Sequence, residues 1–208
     1  MKWMDMSLKD FQSALASSSP TPGGGTASAI ALGQAAALTC MVADLTIGSE
    51  KWKEGWSIAE KAQKISIHIF TQSGILAQED SDSFDKVMKS FKLPKATDEQ
   101  VVLRRQAIRD ATLEATLVPF ETAKAGFELL TVLTELAEKG NGNAVSDVGV
   151  ASLLASAAVK GALFNVDINL SSLPDEMKGN LAVETEKLLT ESRVLSKQSI
   201  QAVRDRLK

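Results

Sequence analysis

Three aspartates lie at places in this sequence where a carboxylate is unusual. Asp44 ends a long run without charged residues, Asp147 follows a loop rich in Gly and Asn, and Asp80 belongs to an acidic cluster. A carboxylate can act as a general acid or base, or stabilise a cation, where its surroundings tune its pKa. Each also has a structural explanation: Asp44 emerges into water, Asp147 caps a helix, and most of the cluster forms a solvated face. The cluster consists of Glu79, Asp80, Asp82 and Asp85, and we expect one or two of these side chains to point inward.

A loop rich in proline and glycine, Thr21–Gly25, runs directly into a helix of small residues. The uncovered N–H groups of a first helical turn lie at the positive end of the helix dipole, and glycine lets a ligand approach the backbone. We therefore predict an anion- or ligand-binding helix start at Gly23, Gly24 and Gly25. A Gly24→Val substitution should then weaken ligand binding more than folding, since valine excludes both positive φ and close approach. A flexible turn before a tightly packed helix is the structural alternative.

Other side chains that commonly do chemistry are scarce. The one histidine, His68, lies between two isoleucines, and we expect it to be a partly buried structural residue. A single histidine, without Cys or carboxylate clusters at ligand spacing, predicts no metal site. Neither a nucleophile elbow nor a phosphate-binding lysine motif occurs. The single cysteine, Cys40, is interpreted as a small core residue in a reducing cytoplasm.

Charge and hydropathy narrow the range of partners. A net charge of −3 and a pI near 5.3 argue against nucleic acid or an anionic membrane as the main partner. The uncharged run from Phe11 to Ala43 is long enough to span a membrane, but prolines and glycines interrupt it, and its remainder is rich in Ala and Gly. Charged residues in the first ten positions interrupt any signal peptide. We expect a cytoplasmic protein that binds neither membrane nor nucleic acid.

Capping, proline and glycine signals divide the chain into helices that must position these groups. Ser7 and Thr97 are typical N-caps, Pro22 fits a first helical turn, and Gly48 and Pro94 fit helix ends. The signals predict helices over Ser7–Ala16, Gly25–Ile47, about Ser49–Phe91, Thr97–Lys139, Ser146–Val166 and Pro174–Leu207.

Several positions should interrupt or modify these helices. Gly55 and Gly74 weaken the third, and Pro119 should kink or split the fourth, because proline removes a backbone donor. Residues Val166–Leu170 have the character of a short extended piece. In the last helix one seam is spaced by seven residues: Leu181, Leu188, Leu195 and Ala202.

The predicted fold is therefore an all-α, single-domain bundle of five to seven helices over residues 1–208. Two of its helices, 25–47 and 146–165, are apolar around most of their circumference and must be covered on all sides. The amphipathic helices of one chain can cover them only in part. A homodimer that buries parts of these two helices is the simplest expectation.

Four blocks of the sequence resemble the cyclodeaminase/cyclohydrolase family of folate enzymes. The first runs from Pro20 to Gly48 and includes the glycine loop, and the second includes Asp80, Phe84–Met88 and Leu93–Lys95. The third is Val118–Pro119, and the fourth runs from Glu138 to Val150 with Ala162, Asn165–Val166 and Ile168–Asn169. The resemblance covers nearly the whole chain and implies an all-helical dimer without a metal.

The resemblance implies a tetrahydrofolate derivative as substrate and no covalently bound cofactor. Cyclohydrolases add water to the methenyl carbon and give 10-formyltetrahydrofolate, whereas cyclodeaminases close formiminotetrahydrofolate and release ammonia. Both reactions need a base, an acid for the departing nitrogen and a carboxylate beside the cationic amidine. The residues that match the family blocks are Asp147, Asp80 and Asp44 as catalytic candidates, and Gly23, Gly24, Gly25, Lys95, Asn143, Asn165 and Asn169 as substrate-binding candidates. Lys95 and the glycine helix start are the candidates for the anionic glutamate tail.

The sequence also departs from the family pattern, which often has Asn at position 44 and Tyr at position 52, where this chain has Asp44 and Trp52. The sequence contains no attached transferase domain, which favours the cyclohydrolase activity. The cyclodeaminase activity is the alternative. Because of the departure at Asp44, a non-catalytic function, the binding of folate or another anion, is a further alternative.

Overall fold

A computed structural model describes residues 2–208 of the chain, and this part contains seven α-helices, three short 3₁₀ turns and no strand. The prediction of an all-α bundle is confirmed. The α-helices are α1 (Leu8–Leu15), α2 (Gly24–Thr46), α3 (Trp56–Phe91), α4 (Asp98–Lys139), α5 (Val145–Ser171), α6 (Asp175–Lys178) and α7 (Leu181–Arg206), and the 3₁₀ turns are Trp3–Asp5, Glu50–Gly55 and Gly142–Ala144.

The four most extensive contacts between helices form a ring. α2 packs against α3 and α5, α4 packs against the same two helices, and α2 and α4 lie diagonally opposite each other. α7 covers α4 and α5, and the N-terminal 3₁₀ turn packs against α3. Fully buried leucines and valines fill the centre, among them Leu32, Leu129, Leu133, Val159 and Leu163.

α3 and α4 are longer than the helices beside them and project from one end of the bundle. Every residue from Phe84 to Ala111 is exposed or half-buried, whereas Ser83 and Thr112 are buried. This projecting hairpin contains the α3–α4 loop and Lys95.

The local signals for helix ends are largely confirmed. The hydroxyls of Ser7 and Thr97 accept hydrogen bonds from the backbone N–H groups of Asp10 and Gln100, at 3.1 and 3.3 Å. The chain changes from a 3₁₀ turn to α3 at Gly55, where a Cβ atom would lie 2.3 Å from the carbonyl oxygen of Lys139. Glycine is needed there because the end of α4 passes so close. Gly74, by contrast, does not interrupt α3.

Three local predictions are wrong. Pro22 precedes the N-cap Gly23 instead of lying in the first turn of α2. Residues Val166–Leu170 continue α5, since Val166 and Leu170 bury their side chains in the core and tertiary packing overrides β-propensity. The last predicted helix is divided into α6 and α7 at Gly179, whose φ of 52° is incompatible with a continuous α-helix. The seam of Leu181, Leu188, Leu195 and Ala202 does pack against the core.

Pro119 does not split α4, which runs unbroken from Asp98 to Lys139. A proline lacks the N–H that would bond to the carbonyl four residues earlier, so the carbonyl of Ala115 loses its helical partner. The side-chain amide of Asn169 on α5 donates to this carbonyl oxygen at 2.9 Å. A neighbouring helix thus satisfies the group that the proline releases.

The two apolar helices are only partly covered in one chain. By length and composition α2 and residues 142–171 could each cross a membrane, and 56% of each apolar window is buried within the bundle, as in the core helices of many globular proteins. α5 nevertheless leaves a stripe of apolar side chains outside, formed by Val150, Leu153, Phe164 and Ile168, with exposed fractions of 46–71%.

Candidate functional site

Asp80 lies on α3 at the level where α2 begins. Its Oδ2 accepts a hydrogen bond from the hydroxyl of Thr26 at 2.9 Å, and the backbone N–H of Thr26 donates to the same carboxylate. Thr26 is the third residue of α2, and the N-cap of that helix, Gly23, makes no side-chain cap of its own. The carboxylate of Asp80 therefore caps α2 from a neighbouring helix.

Gly25 makes room for this carboxylate. A Cβ atom on Gly25 would lie 2.1 Å from Oδ1 of Asp80, a distance at which the carboxylate would have to move. The glycine-rich helix start does bind a carboxylate, as its composition predicts, but that carboxylate belongs to the protein. An incoming anion would meet the negative charge of Asp80 at this place.

The surroundings raise the pKa of Asp80. Burial is the main cause, because it disfavours the charged carboxylate, and the two hydrogen bonds from Thr26 oppose it in part. Its cluster neighbours Glu79, Asp82 and Asp85 are exposed. The prediction that one or two members of the acidic cluster point inward is confirmed, and Asp80 is the one.

α5 completes this region, which we call the Asp80 end of the bundle. Asn165 lies against the first turn of α2, with its Nδ2 atom 3.7 Å from the position of a Cβ on Gly24. Its amide donates to the carbonyl of Gly161, and its Oδ1 makes no hydrogen bond to any residue between 2 and 208. Asn169 follows one turn later and is engaged by Ala115. Both side chains thus donate from their amide nitrogen to a backbone carbonyl, and the Oδ1 of Asn165 remains as an acceptor beside the first turn of α2.

Gly24 does not have the conformation on which the Gly24→Val expectation depended. Within residues 2–208 the glycines with positive φ are Gly48 and Gly179, and Gly24 is exposed. The close approach occurs at Gly25 instead, as described above.

A line of hydroxyl groups continues from Thr26 away from the carboxylate. The Oγ1 of Thr26 lies 3.0 Å from the Oγ of Ser81, and the indole Nε1 of Trp3 donates to the same Ser81 oxygen at 2.9 Å. Sequence reasoning missed all three residues. The position of Thr26 in a first helical turn is a usable signal, but a tryptophan 77 positions before Asp80 gives none.

Asp44, Asp147 and Asn143 lie at the opposite end of the bundle. Asp44 is exposed near the C-terminus of α2 and accepts a hydrogen bond from Gln63. At 1.5 Å per residue, the 18 residues between Thr26 and Asp44 correspond to about 27 Å. Asp147 is half-buried in the first turn of α5, separated from Asn165 by about the same distance. One chain thus does not bring the three candidate aspartates together.

The loop between α4 and α5 is fixed to the end of α2. Asn141 donates through its backbone N–H to the hydroxyl of Thr46 and through its amide to the carbonyl of Leu45, both at 2.9 Å. The guanidinium of Arg206 donates to the carbonyls of Ala137 and Gly140 at 2.7 and 2.6 Å. We call this region the Asn141 end.

The remaining candidates lie outside both groups. Lys95 is exposed in the α3–α4 loop. His68 is exposed, so the prediction of a partly buried residue is wrong, because its position on α3 faces an open groove of about 820 Å³ formed with α4 and α7. Cys40 is half-buried, and burial, followed by the charge of Asp44, raises the pKa of its thiol. No group of three or more His, Cys, Asp or Glu residues suited to a metal ion occurs in the described part of the chain.

Comparisons with known proteins agree with this architecture. The chain is 37% identical over 205 residues to the methenyltetrahydrofolate cyclohydrolase of Methylorubrum extorquens, covering 96% of this chain and 97% of that protein. It is 32% identical to the formimidoyltransferase-cyclodeaminase of Mus musculus over 84% of this chain, which spans 32% of that longer protein.

A solved structure shares the fold. The crystal structure of formiminotetrahydrofolate cyclodeaminase from Thermotoga maritima superposes with a TM-score of 0.80 at 28% identity, covering 98% of this chain and 96% of the other. The sequence model described as formiminotransferase-cyclodeaminase matches residues 7–187. The chain therefore belongs to the formiminotransferase-cyclodeaminase family.

Proposed function

We propose that this protein is a methenyltetrahydrofolate cyclohydrolase, which adds water to the methenyl carbon and gives 10-formyltetrahydrofolate. The higher identity to the Methylorubrum cyclohydrolase, over nearly the full length of both chains, supports this activity. The cyclodeaminase reaction is the alternative, supported by the relatives that carry this name. A cytoplasmic location agrees with both.

The observation that carries the proposal is the carboxylate of Asp80, half-buried at the first turn of α2. Because burial raises its pKa, this carboxylate is a stronger base than that of an exposed aspartate. A negative group at this place also attracts the cationic amidinium of the substrate.

In the proposed reaction Asp80 takes a proton from water while the water oxygen forms a bond to the methenyl carbon. The tetrahedral carbon then breaks its bond to N5 while its hydroxyl group becomes the formyl C=O and releases its proton to solvent, and the protonated Asp80 gives its proton to N5. Asn165, whose side-chain oxygen is unused within the described chain, lies on the same side and can accept from a donor of the pterin or from the water.

The structure changes the role we assign to the glycine loop. Because Asp80 already occupies the start of α2, Gly23, Gly24 and Gly25 accommodate the reacting end of the substrate and leave the anionic tail to another group. Lys95 is the candidate for the tail. It follows the end of α3, and the 11 residues from Asp80 to Phe91 correspond to about 17 Å, a length suited to an extended folate.

We further propose that the protein is a homodimer in which Asp147 acts in the partner's site. The exposed apolar stripe of α5 runs from Val150 to Ile168, and a second copy would bury it. A two-fold axis perpendicular to α5 pairs the two helices antiparallel. With the axis at the middle of this stripe, Asp147 of the partner subunit lies opposite the C-terminal end of α5, about two helical turns from Asn165, whereas about 27 Å separate these two positions in one chain.

The activity is tested by following the decay of methenyltetrahydrofolate absorbance with and without the protein. Faster decay with 10-formyltetrahydrofolate as product supports the cyclohydrolase. Ammonia release from formiminotetrahydrofolate, without that hydrolysis, would establish the alternative. Binding of either folate without turnover would show a non-catalytic protein.

Mixing two inactive variants tests the shared site. Each site of a mixed dimer takes one aspartate from each chain, so dissociated and reassociated Asp80→Asn and Asp147→Asn proteins should regain about a quarter of wild-type activity. No recovery in a demonstrated mixed dimer would contradict a contribution of Asp147 across the interface.

A further inference from the structure

The N-terminal segment is connected to Asp80 by hydrogen bonds through two helices. The indole Nε1 of Trp3 donates to Ser81 at 2.9 Å, Ser81 and Thr26 lie 3.0 Å apart, and Thr26 donates to Asp80 at 2.9 Å. The backbone N–H of Trp3 also donates to Gln78, at 3.2 Å, which holds the tryptophan against α3.

The groups at the two ends of this chain, an indole that only donates and a carboxylate that only accepts when ionised, fix the direction of the bonds between them. An indole N–H can only donate, and a hydroxyl carries a single proton. The Thr26 proton is directed to the carboxylate, so the proton between the two hydroxyls must come from Ser81. The indole N–H of Trp3 fills one of the two acceptor positions of the Ser81 oxygen and holds that hydroxyl so that its proton points to Thr26. If the Thr26 hydroxyl turned toward Ser81, that serine would accept two bonds and lose the partner for its own proton.

We infer that Trp3 is a positioning residue for Asp80: its indole N–H orients the hydroxyls of Ser81 and Thr26 so that Oδ2 of the carboxylate stays hydrogen-bonded and Oδ1 receives the proton. This inference rests on the proposed role of Asp80 as the base. Oδ1 is the oxygen that lies against Gly25, at the first turn of α2. The arrangement thus selects which oxygen of the carboxylate exchanges a proton with water and substrate.

No other charged group competes with the hydroxyls for control of this carboxylate. α2 has no charged residue before Asp44, and on α3 itself Glu79 and Asp82 are exposed. On α5 the pKa of Asp167 is raised by burial and then by Glu186, with no contribution from Asp80. Burial raises the pKa of Asp80, and the hydrogen bonds from Thr26 oppose this effect.

Trp3 also lies before the region that the family's sequence model matches. The family's sequence model matches from residue 7, and the donor that begins the chain of bonds precedes it. Nothing in the fold of the bundle itself requires an indole at this place, since its ring packs edge-on against Phe11 at a centroid distance of 6.4 Å, a contact that phenylalanine can also make.

The test uses Trp3→Phe in the full-length protein, which keeps the aromatic packing and removes only the N–H. Hydrogen bonds to a charged group strengthen one another along a chain by some 10–30%. We therefore expect the acid limb of kcat/KM against pH to move upward by roughly 0.2–0.6 unit, and kcat to fall about twofold or more with little change in KM. Ser81→Ala should act in the same direction, and the double variant should shift no further than Ser81→Ala alone, because both break one chain.

Trp56→Phe is the matched control. It removes an indole hydrogen bond of the same kind, from Trp56 to the carbonyl of Ser49 at 3.1 Å, far from Asp80. It should leave the acid limb unchanged. If Trp3→Phe lowers the melting temperature as Trp56→Phe does but keeps the wild-type pH profile and kcat, Trp3 is only structural and the inference is overturned. If Asp80→Asn retains wild-type turnover, the proposed base fails and the inference fails with it.

Discussion

At both ends of the bundle, helix ends have backbone groups without helical partners. Side chains of opposite charge satisfy these groups at the two ends. At the Asn141 end the free carbonyls at the ends of α2 and α4 accept hydrogen bonds from Asn141 and from the guanidinium of Arg206. At the Asp80 end a carboxylate accepts from the backbone N–H and the hydroxyl of Thr26, in the first turn of α2. Both arrangements complement the helix dipole, which is positive at the N-terminus and negative at the C-terminus.

The two charged groups differ in the contacts that they make and in how burial affects them. Arg206 donates to two carbonyls and lies over the ring of Trp52, 5.2 Å from its centroid, so the contacts of its guanidinium hold the loop. Asp80 keeps a carboxylate whose pKa is raised by burial, with one oxygen not engaged by the Thr26 hydroxyl. A charged group that is buried although burial opposes its charge indicates function. A charged group that donates to backbone carbonyls at a helix end indicates stabilisation.

The largest effect is expected for Asp80→Asn. Loss of the base should reduce kcat by about 10²–10⁴-fold.

The stability of the Asp80→Asn variant should stay the same or increase at neutral pH. The folded-state pKa is raised, so the native protein binds this proton more tightly than the unfolded chain, and wild-type stability falls as pH rises through that pKa. The uncharged amide removes this dependence. Urea unfolding of both proteins across the acid range, with kcat measured in parallel, would contradict the comparison if the variant were active or markedly less stable.

Substitutions at the neighbouring residues Gly24 and Gly25 should distinguish an effect of contact with Asp80 from an effect of any change in the loop. Gly25→Ala places a methyl group where Oδ1 of Asp80 now lies, and we expect kcat/KM to fall about tenfold or more, as a displaced catalytic group typically causes. Gly24→Ala has ordinary contact distance to Asn165 and should stay within about threefold of wild type. Equal losses in both variants, measured by steady-state kinetics, would show that the loop as a whole is responsible.

Arg206→Met should affect stability more than turnover. It leaves two carbonyls without their charged donor, and a loss of about 2 kcal/mol in the free energy of unfolding is expected. Arg204→Met is the control, because Arg204 is exposed and bonds to no residue between 2 and 208. kcat should remain within about threefold below the unfolding transition. A loss of turnover as large as that of Asp80→Asn would instead make the Asn141 end part of the site.

The smallest effect is expected for His68→Asn. The imidazole is exposed in a groove formed by α3, α4 and α7, on neither of the two ends compared here. Its replacement should cost less than about tenfold in kcat. A severe loss here, with Asp80→Asn near wild type, would transfer the role of base to the imidazole.

What the sequence determined by itself is local. The caps at Ser7 and Thr97 and the small-residue start of α2 depend on neighbours within a few residues, and each could be predicted from them. The all-α fold follows from the same signals. Asp80 could be selected as a candidate, although its cluster alone did not show which member turns inward.

Only the tertiary structure decided which groups meet. The capping of α2 by Asp80 requires a particular register of α3 against α2, and it reverses the role expected of the glycines, from binding an incoming anion to accommodating a carboxylate of the chain. The amide of Asn169 is used by a carbonyl that Pro119 releases on another helix. The distance between Asp80 and Asp147 depends in the same way on helix length and direction. Such contacts join residues tens of positions apart, where packing of the whole core, and no local preference, sets the geometry.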